Sequence, residues 1–345
     1  MMKSPGDEIS APAALVAVAV ATAGALAALL IGLLTFGVQA TAAPTGVPLA
    51  VGATTPALAP IVQRVSAQGG GSVSWRTVTS RAEAEQLLDG KDIYGAVLFS
   101  PGPGGPTATV LLSGALNPSA AQVAEPVLTQ VAAAVLTSAR TQPAGADPVL
   151  QVVTIHPTSA AGRALPLAAS ALLWLATLIA GVLAVVVGPR LRGGRPLGRL
   201  ATLVAAAASA LLGTAVVAGL AHAWDATLPV TWSAAGFVAL VGLAFALLQA
   251  AVLRWLGLRG MAVLVPLYLM APAVAGLVPE LLNPVYRELL WSWTPFRFST
   301  EGLRSLLFLG GDTADVRTAL WVFGAIAAAG LLATITPRRA RTVIP

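Results

Sequence analysis

The stretch ALPLAASALLWLATLIAGVLAVVVGPRLRGGRPLGR, Ala164 to Arg199, decides the fold. From Ala164 to Pro189 it carries no charge, and a hydrocarbon core of about 30 Å is crossed by roughly 20 mostly apolar helical residues. Four arginines follow at once, Arg190, Arg192, Arg195 and Arg199. An apolar run that stops at a cluster of arginines reads as a membrane span whose basic end is held in the cytoplasm.

Working outward, five further uncharged runs have spanning length: Ala13 to Val38, Leu200 to Ala223, Val230 to Leu253, Met261 to Val278 and Thr318 to Thr336. Pro266 and Pro272 inside the fifth of the six suggest kinks that neighbouring helices must satisfy. The composition agrees. Hydrophobic residues are 57% of the 345 and charged residues 10%, against about 25% charged in ordinary soluble proteins. That is too little charge to solvate a globule of this size. The expected fold class is a polytopic α-helical membrane protein with one N-terminal span, an extracytoplasmic α/β domain and five further spans.

The net charge of +6 matters through its placement. Besides the Arg190 to Arg199 loop, Arg254 and Arg259 lie between the fourth and fifth runs, and Arg338, Arg339 and Arg341 follow the sixth. With six alternating helices all three segments fall on one side, and short basic loops stay in the cytoplasm. The opposite side receives 41–163, where cations and acids balance, and 279–317, where acids slightly exceed arginines. The expected organisation is a cytoplasmic tail 1–12, a first helix 13–38, an extracytoplasmic domain 41–163, a five-helix domain 164–336 containing an interfacial segment 279–317, and a basic cytoplasmic tail 337–345. The expected location is the plasma membrane, multi-pass, with both termini inside. Ala40, Thr41 and Ala42 have the form of a signal-peptide cleavage site, but the apolar run before them is much longer than the roughly 7–15 residues of a signal core. An uncleaved anchor is expected.

The insert patterns as alternating strands and helices. VPLAVG (Val47 to Gly52), SVSWRTV (Ser72 to Val78), YGAVLFS (Tyr94 to Ser100), TATVLLSG (Thr107 to Gly114) and PVLQVVTIHP (Pro148 to Pro157) read as strands. Pro56 to Gln68 reads as a helix, as does the stretch after Ser80, whose Glu83 three residues on completes a capping box. A longer helix opens at Asn117-Pro118 and runs to about Arg140. Strands alternating with helices point to a small α/β layer domain.

Chemistry is sparse. There is no cysteine and there are two histidines, so thiolate chemistry is excluded and a zinc site has almost nothing to build on. Gly69 to Gly71 and the glycines of PGPGGP lack the Lys-Ser/Thr ending of a phosphate loop and read as turns. No catalytic motif, cofactor site or nucleic-acid partner is expected. His156 reads as structural, and His222 with Asp225, three apart at a helix end, as an interfacial cap. The centres of the spans hold no acid or base, which disfavours proton coupling through intramembrane carboxylates.

The most informative polar stretch is PELLNPVYRELLWSWTPFRFSTEGLRSLLFLGG, Pro279 to Gly311. Trp291 and Trp293 suit an interface belt. From Ser299 to Leu309, Glu301 and Arg304 stand three apart on a pattern carried by Leu303, Leu306, Leu307 and Phe308. This predicts an amphipathic helix at the outer interface or a re-entrant hairpin dipping into it, serving as an outer gate or as a membrane-surface anchor.

One anchor, a large insert and five close helices, together with VPLAVG, SRAEAEQLLDGKDIYGAVLFSP, LLSGALNPSAAQV and TPFRFSTEGLRSLLFLGG, resemble the membrane subunit of type 2 ABC exporters, and more narrowly the actinobacterial permeases related to the phage-infection-protein (Pip) family. Gly302 and Arg304 stand two apart, closer than in that family's Gly-x-x-x-Arg-like run. The resemblance implies outward transport by a dimer of such subunits, driven by a separate ATPase on cytoplasmic chains. It makes Arg190, Arg192, Arg195, Arg254 and Arg259 candidates for the cytoplasmic partner contact, although retention on the positive side explains the same arginines without a partner. Trp291, Trp293, Glu301, Arg304 and Phe308 are the candidate gate. Gly24, Gly32 and Gly37, with AAAASALLGTAVVAG (Ala205 to Gly219), offer close-approach faces for a homodimer in the lipid bilayer. The competing reading is a membrane-anchored receptor or scaffold whose extracytoplasmic domain binds a cell-envelope partner.

Overall fold

The computed structural model describes residues 11–67, 70–102, 105–138 and 149–337. The expectations placed on Arg140, on the N-terminal tail to Ser10 and on the arginines after Pro337 lie outside the described residues.

Helix α1 (Ala11–Gly32) continues through a π-helical turn, Leu33–Gly37, into α2 (Val38–Ala40). The insert then folds as β1 (Val47–Ala53), α3 (Ala59–Ala67), β2 (Val73–Val78), α4 (Arg81–Asp89), β3 (Gly95–Gly102), β4 (Gly105–Ser113), α5 (Pro118–Ser138) and β5 (Leu150–Ile155). These strands form one sheet in the order β2-β1-β3-β4-β5. The β3–β4 hairpin is antiparallel and the other three pairings are parallel. Parallel neighbours need crossovers, and α3, α4 and α5 supply them. Side chains alternate across the strands. Val47, Leu49, Val51, Val97 and Phe99 face α3 and α5, while Ala50, Ala96, Leu98 and Leu111 face α4. The domain is therefore three layers, with helices on both faces of a mixed sheet. Ser80 caps α4 by accepting from the Glu83 amide, and the Glu83 carboxylate reaches back to Thr79 rather than to the cap residue itself.

Next come α6 (Ala160–Leu191), α7 (Arg199–Trp224), α8 (Trp232–Leu256), α9 (Met261–Ala275), α10 (Pro284–Tyr286), α11 (Pro295–Phe308) and α12 (Ala314–Ile335). Ser159, Thr231 and Thr313 cap α6, α8 and α12 by accepting from the amide three residues on. Among the described residues six helical stretches are long and apolar enough to cross a membrane. They differ from the six expected runs. Trp232–Ala275 is one 44-residue stretch, which the turn Gly257–Gly260 breaks into α8 and α9, Gly257 taking φ +59°. Helix α9 runs through Pro266 and Pro272 and stops at Ala275, three residues short of the expected end. The stretch without an expected counterpart is α5. Its Ala120, Ala124, Leu128, Ala132 and Leu136 pack on the sheet, and its opposite face exposes Gln122, Glu125 and Gln130. A glutamate in lipid costs on the order of 3 kcal/mol, so α5 is a layer of the α/β domain.

Small residues set the spacing of the bundle. Gly330 of α12 lies where the α8 backbone passes, and a Cβ there would stand 2.7 Å from the Leu247 carbonyl carbon. At one end of the bundle the Trp255 indole donates to the Ala333 carbonyl at 3.0 Å, and Arg254 reaches the Thr336 carbonyl at 3.4 Å. The C-terminal ends of α8 and α12 therefore lie together.

Candidate functional site

Pro279 to Leu309 does not lie flat on the bundle; it enters it. The chain leaves α9, turns at Pro279–Leu281, passes through α10 and a π-helical turn, Arg287–Trp291, and returns as α11. Proline at the first position of α11 starts the helix four residues before the Ser299 expected from the periodicity. Phe296 at its beginning is buried against Trp174 and Phe245, with ring centroids 5.2 Å away in each case. Phe245 lies about 20 Å along α8 from Trp232 at 1.5 Å per residue. Gly302, higher on α11, lies beside Phe237 and Ala319, near the starts of α8 and α12. Helix α11 thus begins deep between the long helices and climbs toward the α/β domain.

The descending limb is pinned by complementary breaks. The Tyr286 hydroxyl donates to the Leu33 carbonyl at 2.9 Å, in the π-helical turn that follows α1, where the backbone bonding pattern is locally altered. Gly37 makes room for it, since a Cβ there would overlap the Tyr286 hydroxyl. The Trp291 indole donates to the Leu277 carbonyl at 3.3 Å, and the Arg297 guanidinium lies over the Trp291 ring at 3.9 Å and the Phe298 ring at 4.2 Å. On the ascending limb Ser170 donates to Ser299 at 2.7 Å, a polar clasp between α6 and α11.

Toward the C-terminal end of α11 the charges close into a network with the α/β domain. Arg304 donates to Glu301 at 2.9 Å, the three-residue pairing expected from the sequence. Lys91, in the turn after α4, donates to both Glu301 and Asp315, the latter at 2.7 Å, and Ser305 also reaches Asp315 at 3.3 Å. The Lys91 side chain is 14% exposed. Its burial disfavours the ammonium, but the carboxylates of Glu301 and Asp315 outweigh that and hold its pKa above the ordinary lysine value. Beside it the Tyr94 hydroxyl donates to Glu280 at 2.7 Å, and burial together with the Glu280 carboxylate pushes the phenol pKa well up. The backbone adds two bonds, from Thr45 to the Glu280 carbonyl at 2.9 Å and from Ala43 to Leu281 at 3.2 Å.

Of the residues singled out in the sequence, Trp291, Glu301 and Arg304 belong to this arrangement. Phe308 is half-buried against the bundle core. Trp293 is exposed and donates to the Leu289 carbonyl of its own turn. Arg190, Arg192, Arg195 and Arg259 are exposed at the other end of the bundle, near the half-buried Arg254. Asp225 turns to Thr227, whose hydroxyl donates to it at 2.6 Å, while His222 is exposed. His156 lies 3.7 Å from Asp89. The residues that sequence reading missed are Lys91, Tyr94, Glu280 and Asp315, whose partners lie 186 to 224 positions away. No local pattern signals them.

Compared with protein-family models, with curated proteins and with solved structures, the chain matches none.

Proposed function

We propose that this chain is the permease subunit of an ABC-type exporter that moves a hydrophobic or amphipathic solute outward, energised by a separate ATPase. On this reading α1, α6, α7, α8, α9 and α12 cross the plasma membrane, the arginine-bearing turns lie in the cytoplasm and the α/β domain lies outside. The observation that carries it is the helical hairpin wedged into the outer half of the bundle. Interrupted backbone at membrane depth is tolerated only where protein buries it or where it lines a path. Helix α11 fills the space between α6, α8 and α12, so it is the element that has to shift for a solute to leave. Its outer end is tied through Lys91 to the α/β domain, which supports coupling between that domain and the gate.

The exposed apolar side chains of α1, among them Leu15, Leu26 and Leu29, and the open space beside Gly24 and Gly32 support a homodimer or lipid contact along that helix. Exposed Arg190, Arg192, Arg195 and Arg259 support a contact for the ATPase chains. The test is reconstitution of the full chain in vesicles with the ATPase that co-purifies with it. ATP-dependent release of a fluorescent amphiphile is expected, and no co-purifying ATPase together with no ATP-dependent release contradicts the proposal. Deleting 41–163 separates it from the scaffold reading: a permease retains stimulation of its ATPase, whereas a scaffold loses all function.

A further inference from the structure

A second feature lies at the opposite end of the bundle from the hairpin. Between α6, α7 and α8 runs a cavity of about 510 Å³, within the range of roughly 300–1,000 Å³ that small-molecule sites occupy. Along α6 it extends from Thr177 to Pro189, about 18 Å at 1.5 Å per residue. Its walls are mostly small and apolar, including Gly181, Ala184, Ala205 and Ala250, with hydroxyls at Thr177, Thr202 and Ser209, and among the described residues no acid lines it. Its cations are Arg199 and Arg254, both at the arginine-bearing end. Arg199 opens α7, whose N-cap Gly198 supplies no side-chain acceptor for the free amides of the first turn. Arg254 is half-buried; one terminal nitrogen reaches the Thr336 carbonyl, while its Nε is buried with no hydrogen-bond partner among the described residues. A buried guanidinium nitrogen without an acceptor is costly unless an anion meets it.

We infer that this cavity binds an anionic amphiphile, with one alkyl chain along α6 and a phosphate headgroup between Arg199, Arg254 and the start of α7. Length selects the chain: a free phosphate fills only the mouth and leaves the apolar slot empty. Charge selects the headgroup, since two cations with no acid beside them favour a phosphate monoester over a zwitterion. The assignment concerns equilibrium binding and holds whether or not the chain transports its ligand, so its failure and the failure of the transport proposal are separate results.

The experiment uses the full chain in phosphatidylcholine nanodiscs and a photoreactive lysophosphatidate. The comparisons are a photoreactive lysophosphatidylcholine of equal chain length and inorganic phosphate as competitor. Lysophosphatidate is expected to label peptides from α6 and α7 at a concentration about tenfold lower than the zwitterion, a discrimination equal to one strong charge-assisted contact. The double variant Arg199→Gln and Arg254→Gln is expected to remove that preference while leaving labelling by the zwitterion unchanged. Ala205→Trp, which fills the slot, is expected to abolish labelling by both, with Gly181→Leu as a second filling variant. A thermal unfolding profile like that of the parent chain shows that each variant is folded. Equal labelling by the two lipids, or labelling indifferent to both filling variants, overturns the assignment. Full competition by inorganic phosphate overturns the alkyl-chain half of it.

Discussion

Lys91 holds a backbone φ of +60°, a left-handed conformation that side chains other than glycine and asparagine adopt at a cost. The ammonium explains why lysine stands there, since it is delivered between Glu301 and Asp315. Two effects can be separated by substitution. Lys91→Ala keeps the strained backbone and removes the ammonium shared by two carboxylates, leaving Glu301 to Arg304 and Asp315 to the Ser305 hydroxyl. For a network that is partly open to solvent this is expected to cost about 2 kcal/mol of docking stability, between surface and buried pairs. Lys91→Gly loses the same charge but relaxes the backbone, and is expected to be less damaging by about 1 kcal/mol. Thermal unfolding of the two variants in detergent checks the order, and equal losses contradict the strain argument. The pH dependence has a definite sign. Because the folded pKa is raised, the lysine contribution is complete below the ordinary unfolded lysine value of about 10.4 and is lost only as pH climbs through the higher folded value. Raising pH from 7 to 9.5 is therefore expected to leave protease resistance at the domain junction unchanged. These groups were invisible in the sequence for a physical reason: Lys91 and Asp315 look like ordinary solvated charges until the fold brings them together.

At the scale of elements, α11 was legible and its depth was not. The spacing of Glu301 and Arg304 over Leu303, Leu306 and Leu307 marks a helix with one apolar face, but an interfacial helix and a re-entrant one share that pattern. Contact of Phe296 with Phe245 and Trp174 shows that its start lies between the long helices. Phe296→Ala is expected to loosen the hairpin by about 1–3 kcal/mol, the worth of two aromatic pairs, because lipid rather than water surrounds the bundle and the hydrophobic transfer term contributes little. Hydrogen exchange in 284–308 is expected to rise in this variant while that of α5 stays unchanged. Gly302→Leu is expected to be worse, since even a Cβ at that position would meet Phe237 at 2.7 Å and Ala319 at 3.0 Å. The strands of the insert were legible from alternation and turns because each half-buried strand writes the period of its sheet into its residues. The order β2-β1-β3-β4-β5 was not, since pairing partners leave no local mark. Helix α5 shows the limit of hydropathy alone: its apolar run is long enough for lipid, and Glu125 on its outer face places it on the sheet instead.

The two ends of the whole molecule differ in chemistry. Lys91, Glu301, Arg304 and Asp315 join the bundle to the α/β domain at one end, and Arg190 to Arg199, Arg254 and Arg259 crowd the other without a single acid among them. That asymmetry was readable from the first arginine cluster, and the contact of Trp255 with Ala333 places the corresponding ends of α8 and α12 together. The chain has no cysteine, so single cysteines report sidedness without background. The most direct measurement is labelling of Glu85→Cys and Arg195→Cys variants in intact cells with a membrane-impermeant maleimide, before and after permeabilisation. Glu85→Cys is expected to be labelled in intact cells and Arg195→Cys only once the membrane is opened; the reverse pattern, or labelling of both in intact cells, contradicts the proposed orientation.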